Sequence, residues 1–248
     1  MKIVCVIPAR YKSTRFEGKP LSDIYGKPMI WWVYNQCTKV NRFDEIYVAT
    51  DDERIAFACE ENNIKYIMTK NNHPDHIARI HEVSEKVEAD YYICVNGDEP
   101  LVSPTIIEAT LPNEIVDSEY FGGVMRELTD PAETIDLANI KLAMTNKNRC
   151  VYMSRTPIPY PKGTLFYKYK KYVGVECFNK KALDFFVSTS MGELEKTEDI
   201  DHLRFIENGI PLYFKMVDSD SISVDTPKDL GKVLSIIKKR IENGEISI

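Results

Sequence analysis

The chain has 248 residues, of which 44% are hydrophobic and 28% charged, enough to bury the core of one large α/β domain. Its net charge is −6, and it has no long basic stripe, which argues against nucleic acid as a partner. Its amino-terminal apolar run is too short for a signal peptide, and no run approaches the roughly 20 apolar residues of a membrane span. We therefore expect a cytoplasmic protein with no membrane partner.

The six cysteines are far apart in the sequence and form no C-x-x-C pair. Cys5, Cys94 and Cys177 lie inside apolar, strand-like runs. This pattern favours buried free thiols in a reducing cytoplasm over disulfides or a zinc site.

In the first hundred residues, short β-rich runs alternate with helical patterns. The predicted strands are Lys2–Ile7, Glu45–Thr50, Lys65–Thr69 and Tyr91–Val95, and the predicted helices are Pro28–Cys37, Asp52–Glu61 and His76–Val87. The alternation predicts a parallel sheet with crossover helices. Ligands of such sheets bind at the carboxyl ends of the strands, so the residues after each predicted strand form the candidate site.

The second half begins with a helix that Ser103 caps and Pro104 opens. Strand-like segments separated by turns then run from Phe121 to Phe178 and predict a subordinate lobe over about residues 120–180 of a single 1–248 domain. The remaining predicted elements are helices Lys180–Val187 and Glu195–Glu207, strands Pro211–Val217 and Ile222–Val224, and a last helix from about Thr226-Pro227.

A basic loop follows the first strand, with four cations within ten residues and only Glu17 opposing them. Arginine and lysine side chains, hydroxyls and backbone N–H groups are the donors that a triphosphate needs. The spacing differs from a Walker loop and from G-x-G-x-x-G. A solvated basic surface loop is the alternative, but the position after a strand favours anion binding. The candidate nucleotide-binding residues here are Pro8, Ala9, Arg10, Ser13, Thr14, Arg15 and Lys19.

The string IPARYKSTRFEGKPL, followed by YGKPMI, resembles the opening of the CMP-Kdo synthetases, which activate 3-deoxy-D-manno-octulosonate (Kdo) with CTP. The CMP-sialic acid synthetases are more distantly similar. VATDDERI, NGDEPLV, SRTPIPY, LRFIENG and VDTPKDL follow in the family's order across nearly the whole chain. The resemblance implies a cytidylyltransferase with a Rossmann-like, mainly parallel α/β sheet flanked by helices and a smaller β-rich lobe, of the nucleotidyltransferase, GT-A-like type. It also implies a homodimer formed through that lobe.

Two aspartates lie at expected strand ends, Asp98 in NGDEP and Asp225 in VDTP. Mg²⁺ prefers a few carboxylate oxygens together with phosphates and water, and nucleotidyl transfer needs such a clamp. The resemblance assigns both aspartates as ligands of a Mg²⁺ cofactor. Each could otherwise be a turn or cap residue. Asp51 is expected near the ribose or cytosine, and Asp52 is expected to cap the next helix.

The sequence has no signature of a covalent nucleophile, so we expect in-line attack of the acceptor oxygen on the α-phosphorus. Arg155, in SRTPIP, could hold the acceptor carboxylate or the phosphates, or could form a structural salt bridge. The expected catalytic residues are Arg10, Arg15, Lys19 and Asp98.

The acceptor half departs from the family. The family's H-x-S-G-T-D-R is here His73-Pro-Asp-His-Ile-Ala-Arg79, and Gln before G-D-E-P is Asn. Its H-x-G-I-Y strand is Tyr172-Val-Gly-Val-Glu176, and its E-Q-L-R helix reads D-H-L-R. Several changes together predict an acceptor other than unmodified Kdo. The candidate acceptor-binding residues are His76, Arg79, Asn96, Arg155, Tyr172, Glu176, Asp201 and His202.

Compatible acceptors are a modified ulosonic acid, an amino-bearing acid paired with Glu176, a phosphonate, or a phosphorylated small acid. A metal-dependent glycosyltransferase on a similar scaffold is an alternative, but it would not need the triphosphate loop. A non-catalytic nucleotide-binding protein would be expected to lose Asp98 or Asp225, and the sequence keeps both.

Overall fold

The computed structural model describes residues 1–164, 166–219 and 221–246, and these form eleven strands and nine α-helices. The strands are β1 Ile3–Ala9, β2 Asp23–Ile24, β3 Lys27–Pro28, β4 Glu45–Thr50, β5 Tyr66–Met68, β6 Tyr91–Val95, β7 Phe121–Glu127, β8 Lys141–Met144, β9 Cys150–Ser154, β10 Lys170–Asn179 and β11 Tyr213–Met216. The helices are α1 Met29–Cys37, α2 Glu53–Glu61, α3 His76–Lys86, α4 Pro104–Ala109, α5 Pro131–Ile135, α6 Lys180–Ser188, α7 Glu193–Glu198, α8 Leu203–Glu207 and α9 Pro227–Glu242.

The central sheet follows the order β11-β7-β10-β6-β1-β4-β5. In this path β10 is antiparallel to both of its neighbours, and the other neighbouring pairs are parallel. The predicted Rossmann-like, mainly parallel α/β sheet is confirmed. Strands β4 and β6 have the predicted bounds, and the carboxyl ends of β1 and β6 are adjacent.

Helices cover both faces of the sheet because buried side chains alternate along its strands. Cys5 and Ile7 of β1 pack with α1, α2 and α4, whereas Val4 and Val6 pack with α3, α6 and α8. A third apolar cluster joins α1 to α9. All six cysteines are buried and free, as predicted.

Side-chain caps fix where several helices begin. Asp52 accepts a hydrogen bond from the Arg54 amide at 3.0 Å, and Ser103 accepts one from the Ile106 amide. Thr226 caps α9 in a capping box with Asp229. These three predicted helix starts are confirmed.

Two predicted elements were wrong. The helix expected over Glu195–Glu207 is interrupted, because Asp199 adopts a left-handed conformation with φ of 54° and ends α7. Ile222–Val224 is not assigned as a strand, although the Val224 amide donates to the Asp98 carbonyl at 2.9 Å. That bond fastens the segment before α9 to the loop after β6.

The region over residues 120–180 contributes β7 and β10 to the central sheet and adds a ribbon of β8 and β9 that joins it through β10. Among the described residues, every helix is too short or too polar to cross a bilayer.

Candidate active site

A cavity of about 390 Å³ opens beyond the carboxyl ends of β1 and β6. It combines basic side chains from the loop after β1 with acidic side chains from the loops after β6 and before α9. Of the predicted site residues, its wall includes Pro8, Ala9, Arg10, Ser13, Arg15, Lys19, His76, Arg79, Asn96, Asp98, Asp201 and Asp225.

The basic loop is closed by its own backbone. The Gly18 amide donates to the Tyr11 carbonyl at 2.9 Å, and Gly18 has a positive φ of 68°. A β-carbon at Gly18 would also meet the Tyr11 ring at about 3.0 Å. Ser13 and Arg15 lie within the closed loop and line the cavity, as does Arg10 just before it, whereas Thr14 is exposed outside its wall.

The two candidate metal ligands lie beside the cations of this loop. Lys19 Nζ is 2.6 Å from Asp98 Oδ2 and 3.7 Å from Asp225 Oδ1. Arg15 also contacts Asp225, at 2.9 Å. The structure therefore brings together two aspartates that are more than a hundred residues apart in sequence and balances them with two cations.

The acidic pair fits a hard divalent cation. Asp98 Oδ1 is buried and has no hydrogen-bond partner among the described residues, so one carboxylate oxygen is left for a ligand. Asp225 holds its cations through Oδ1. Carboxylate oxygens of this kind suit Mg²⁺, which takes its other ligands from water and phosphate.

Gly97 sets how closely the loops approach. A β-carbon there would lie 2.8 Å from the Pro8 carbonyl oxygen at the end of β1. Backbone oxygen cannot move aside as a flexible side chain can, so this glycine lets the loop that carries Asp98 pack against β1.

Arg79 and His73 form another part of the wall, and each contacts a carboxylate, the partly buried Asp51 or the buried Glu82. Arg79 Nη1 is 3.5 Å from Asp51 Oδ1, and burial lowers the pKa of its guanidinium. Asp51 lies behind Arg79 and does not line the cavity. His73 Nε2 is 2.5 Å from Glu82; burial would raise the pKa of Glu82, but Lys86, the Lys70 amide and His73 lower it to about 2.

A second cavity of about 680 Å³ adjoins the first, because Arg15, Asn96 and Asp225 line both. Tyr172 lies on its wall, as does Gly174. A β-carbon at Gly174 would lie 2.6 Å from Asn96 Nδ2, so the glycine makes room for the Asn96 amide between the cavities.

Glu176 and His202 lie behind both cavities. Glu176 is 0% exposed and His202 3% exposed, and neither belongs to the wall of these two cavities. Glu176 Oε1 is 3.3 Å from His76 Nε2 and 3.1 Å from His202 Nε2, and it accepts the Tyr172 hydroxyl. The structure thus gathers most of the unusual acceptor-side residues into one cluster.

Opposite charges within this cluster shift the pKa values of His76 and Glu176. Burial opposes the charged form of His76, but Glu176, Asp201 and Asp75 raise the pKa of His76 to about 9. Burial alone would raise the pKa of Glu176, whereas His202 and His76 lower it. Burial, and then Glu176, raises the pKa of Tyr172.

Arg155 lies outside both cavity walls. Its Nε donates to the Glu198 carbonyl at 2.7 Å, and its Nη2 donates to the Asp199 carbonyl at 2.7 Å. These bonds tie β9 to the end of α7. The contacts correspond to the structural alternative for this residue.

Sequence reasoning missed several residues of the second cavity, including Glu99, Lys171 and Ser221. Burial and the neighbouring charge of Asp98 raise the pKa of Glu99 to about 7. Ser221 donates a hydrogen bond to the Glu99 carboxylate at 2.5 Å, which acts in the opposite direction on this pKa. Glu99 belongs to the NGDEP motif, so its position was a usable signal; Lys171 and Ser221 stand in no motif.

Comparisons with known proteins agree with this geometry. A cytidylyltransferase family model matches residues 4–219. The 3-deoxy-manno-octulosonate cytidylyltransferase of Escherichia coli is 36% identical over 97% of this chain and 98% of its own length. The 8-amino-3,8-dideoxy-manno-octulosonate cytidylyltransferase of Shewanella baltica OS195 is also 36% identical, over 94% of this chain and 97% of its own.

Solved structures show the same relationship. A CMP:2-keto-3-deoxy-manno-octonic acid synthetase complexed with CTP matches with a TM-score of 0.91 at 36% identity, over 97% of this chain and 100% of that one. The inositol-1-phosphate CTP transferase of T. maritima, at 17% identity and a TM-score of 0.67, shares the fold. The chain is a cytidylyltransferase, and it belongs to the CMP-Kdo synthetase family.

Proposed function

We propose that this enzyme transfers CMP from CTP to an octulosonate-type sugar acid other than unmodified Kdo, with Mg²⁺ as cofactor. The observation that carries the proposal is one cavity in which Arg10, Arg15 and Lys19 face Asp98 and Asp225. Cations of this kind bind a triphosphate, and the paired aspartates provide for a divalent cation.

Asp98 and Asp225 would hold the metal. Bound there, Mg²⁺ supplies charge neutralisation at the α-phosphate and the leaving pyrophosphate. The chain's own contribution is positioning, because the loop cations orient the triphosphate. The backbone hydrogen bond from Val224 to Asp98 holds the loops that carry Asp98 and Asp225 next to each other.

The second cavity is the proposed acceptor site. It meets the first at Asn96, Arg15 and Asp225, so an acceptor bound there would approach the nucleotide from the side of the proposed metal. Besides Tyr172, its ionisable wall residues are six acids and four bases, namely Glu99, Asp130, Glu133, Asp136, Asp225 and Asp229 against Arg15, Arg126, Lys171 and Lys232. Asp225 is assigned to the metal, and Glu133 and Asp229 pair with wall cations. Asp130 and Asp136 instead accept hydrogen bonds from backbone amides, so these two wall carboxylates favour an acid that also carries an amino group.

Kinetics with a panel of substrates tests the proposal. We expect pyrophosphate release to require Mg²⁺, to prefer CTP over ATP, GTP and UTP, and to be faster with the 8-amino analogue than with Kdo. Because each lost matched hydrogen bond costs about 1–3 kcal/mol, kcat/KM for Kdo should be lower by at least roughly tenfold. A sialic acid and small phosphonates complete the panel.

Two results would count against different parts of the proposal. Equal use of purine triphosphates would contradict the nucleotide assignment. Turnover of Kdo above every other acceptor would contradict the acceptor assignment and leave the transferase activity in place.

We also propose that two copies pair through the 120–180 lobe. Large apolar side chains are exposed there, including Ile135 at 73%, Leu137 at 57% and Val151 at 53%. Light scattering should give the mass of a dimer for the native protein and of a monomer for Leu137→Glu. A native monomer at micromolar concentration would contradict the pairing.

A further inference from the structure

The cluster behind the cavities contains three possible metal ligands, His76, Glu176 and His202. One ligand atom from each lies within 4.8 Å of the others, and the two contacts to Glu176 Oε1 are 3.3 and 3.1 Å. Donors bound at about 2.0–2.1 Å around a tetrahedral ion are spaced by similar distances. The side chains come from α3, β10 and the residue before α8, so the fold holds each separately.

His202 carries an unusual buried nitrogen. Its Nε2 has no hydrogen-bond partner among the described residues, even though it lies 3.1 Å from Glu176 Oε1. A buried polar atom without a partner costs free energy. A ligand bound to this nitrogen inside the cluster would remove that cost.

Neighbouring polar groups support two of the three side chains, His76 and Glu176. Asp201 Oδ2 is 3.5 Å from His76 Nδ1, the ring nitrogen opposite the one that faces Glu176. A carboxylate on the far nitrogen of a histidine is the usual support for a metal-bound imidazole. Tyr172 donates its hydroxyl to Glu176 and orients that carboxylate in the same way.

We propose that His76, Glu176 and His202 bind a transition-metal ion, with Zn²⁺ as the best match. Two imidazoles and one carboxylate suit Zn²⁺ and its first-row neighbours, whereas Mg²⁺ takes oxygen ligands. The site is separate from Asp98 and Asp225. A set of three protein ligands leaves an open coordination position, and His76 places the ion beside the nucleotide cavity.

Metal analysis and titration test this site. Tag-free, full-length protein is expected to contain one equivalent of Zn²⁺, to lose it to a chelator, and to take up one equivalent of Zn²⁺ or Co²⁺ in the presence of excess Mg²⁺. Bound Co²⁺ should give the visible absorption bands of a four- or five-coordinate ion. Glu176→Gln should abolish stoichiometric binding.

A second variant, Asp201→Asn, keeps the test decisive if replacing the buried Glu176 prevents folding. Asp201 is not itself a proposed ligand, and loss of such support weakens metal affinity by about 10–100-fold. His81→Gln is the matched control, because His81 lies on the same helix but contacts Asp184 instead, and it should bind Zn²⁺ normally. Asp98→Asn should also bind Zn²⁺ normally.

The proposal is overturned if native protein binds no stoichiometric Zn²⁺ or Co²⁺, or if Glu176→Gln and Asp201→Asn bind as the native protein does. Loss of Zn²⁺ in Asp98→Asn would likewise overturn it, because the ion would then occupy the other acidic site. The titration contains neither CTP nor acceptor, so its failure leaves the proposed transferase activity untouched.

Discussion

Replacement of Asp98 by asparagine is expected to lower kcat for pyrophosphate release by roughly a thousandfold or more, because it removes charge from the proposed metal ligand at the reacting phosphate. The residue has little role in core packing, since its Oδ2 contacts Lys19 and its Oδ1 has no hydrogen-bond partner in the described part of the chain. The variant should therefore stay folded and bind CTP weakly. Steady-state kinetics and calorimetric titration with CTP measure the two effects.

Asp184→Asn provides the control for this variant. Asp184 is half-exposed and pairs with Lys180 on α6, so losing its charge should leave kcat unchanged. A near-native kcat for Asp98→Asn would show that the metal assignment is wrong.

Arg204→Ala is expected to destabilise the fold by about 3–5 kcal/mol, because it leaves Glu195 buried without its ion-pair partner. The two side chains are 8% and 1% exposed and form paired contacts of 2.7 and 2.5 Å. Arg204 also donates to the Phe186 carbonyl at 2.8 Å and packs over the Phe186 ring. Urea unfolding followed by circular dichroism measures the loss.

A double variant separates the unpaired charge from lost packing. Glu195→Leu with Arg204→Met replaces both partners by apolar groups of similar size, and such exchanges are often neutral. The double variant should therefore be more stable than Arg204→Ala alone. Equal destabilisation of both would mean that packing, and not the stranded carboxylate, sets the cost.

The same ion pair shows why the sequence did not reveal the break between α7 and α8. The helical pattern continues from Glu195 to Glu207, and nothing local in it signals the left-handed Asp199. What favours the break is a contact between the two halves, from Arg204 back to Glu195. In contrast, β4 and β6 were predictable because each is a short run rich in apolar, β-branched or aromatic residues, which by itself indicates a buried strand.

In the candidate site, too, the sequence predicted the features that belong to local motifs and not those that depend on tertiary packing. The loop after β1 and the aspartates at 98 and 225 were recognisable, since each belongs to a motif: the first two follow β1 and β6, and Asp225 lies in VDTP just before α9. The sequence also singled out His76, Glu176 and His202, but as direct contacts of the acceptor. Their mutual packing depends on bringing together α3, β10 and the residue before α8, which only tertiary structure displays.

The pairing of Arg15 and Lys19 with Asp225 and Asp98 has a consequence for how substrates enter. A triphosphate that recruits these cations leaves the aspartates without a counter-charge, and a divalent ion that recruits the aspartates leaves the cations without one. If Asp98 and Asp225 hold the metal as proposed, each ligand meets a penalty that the other removes, and we expect their binding free energies to be positively coupled. On this assignment we expect the metal–nucleotide complex to bind more readily than either ligand alone, because it replaces the counter-charges of the cations and of the aspartates in one step.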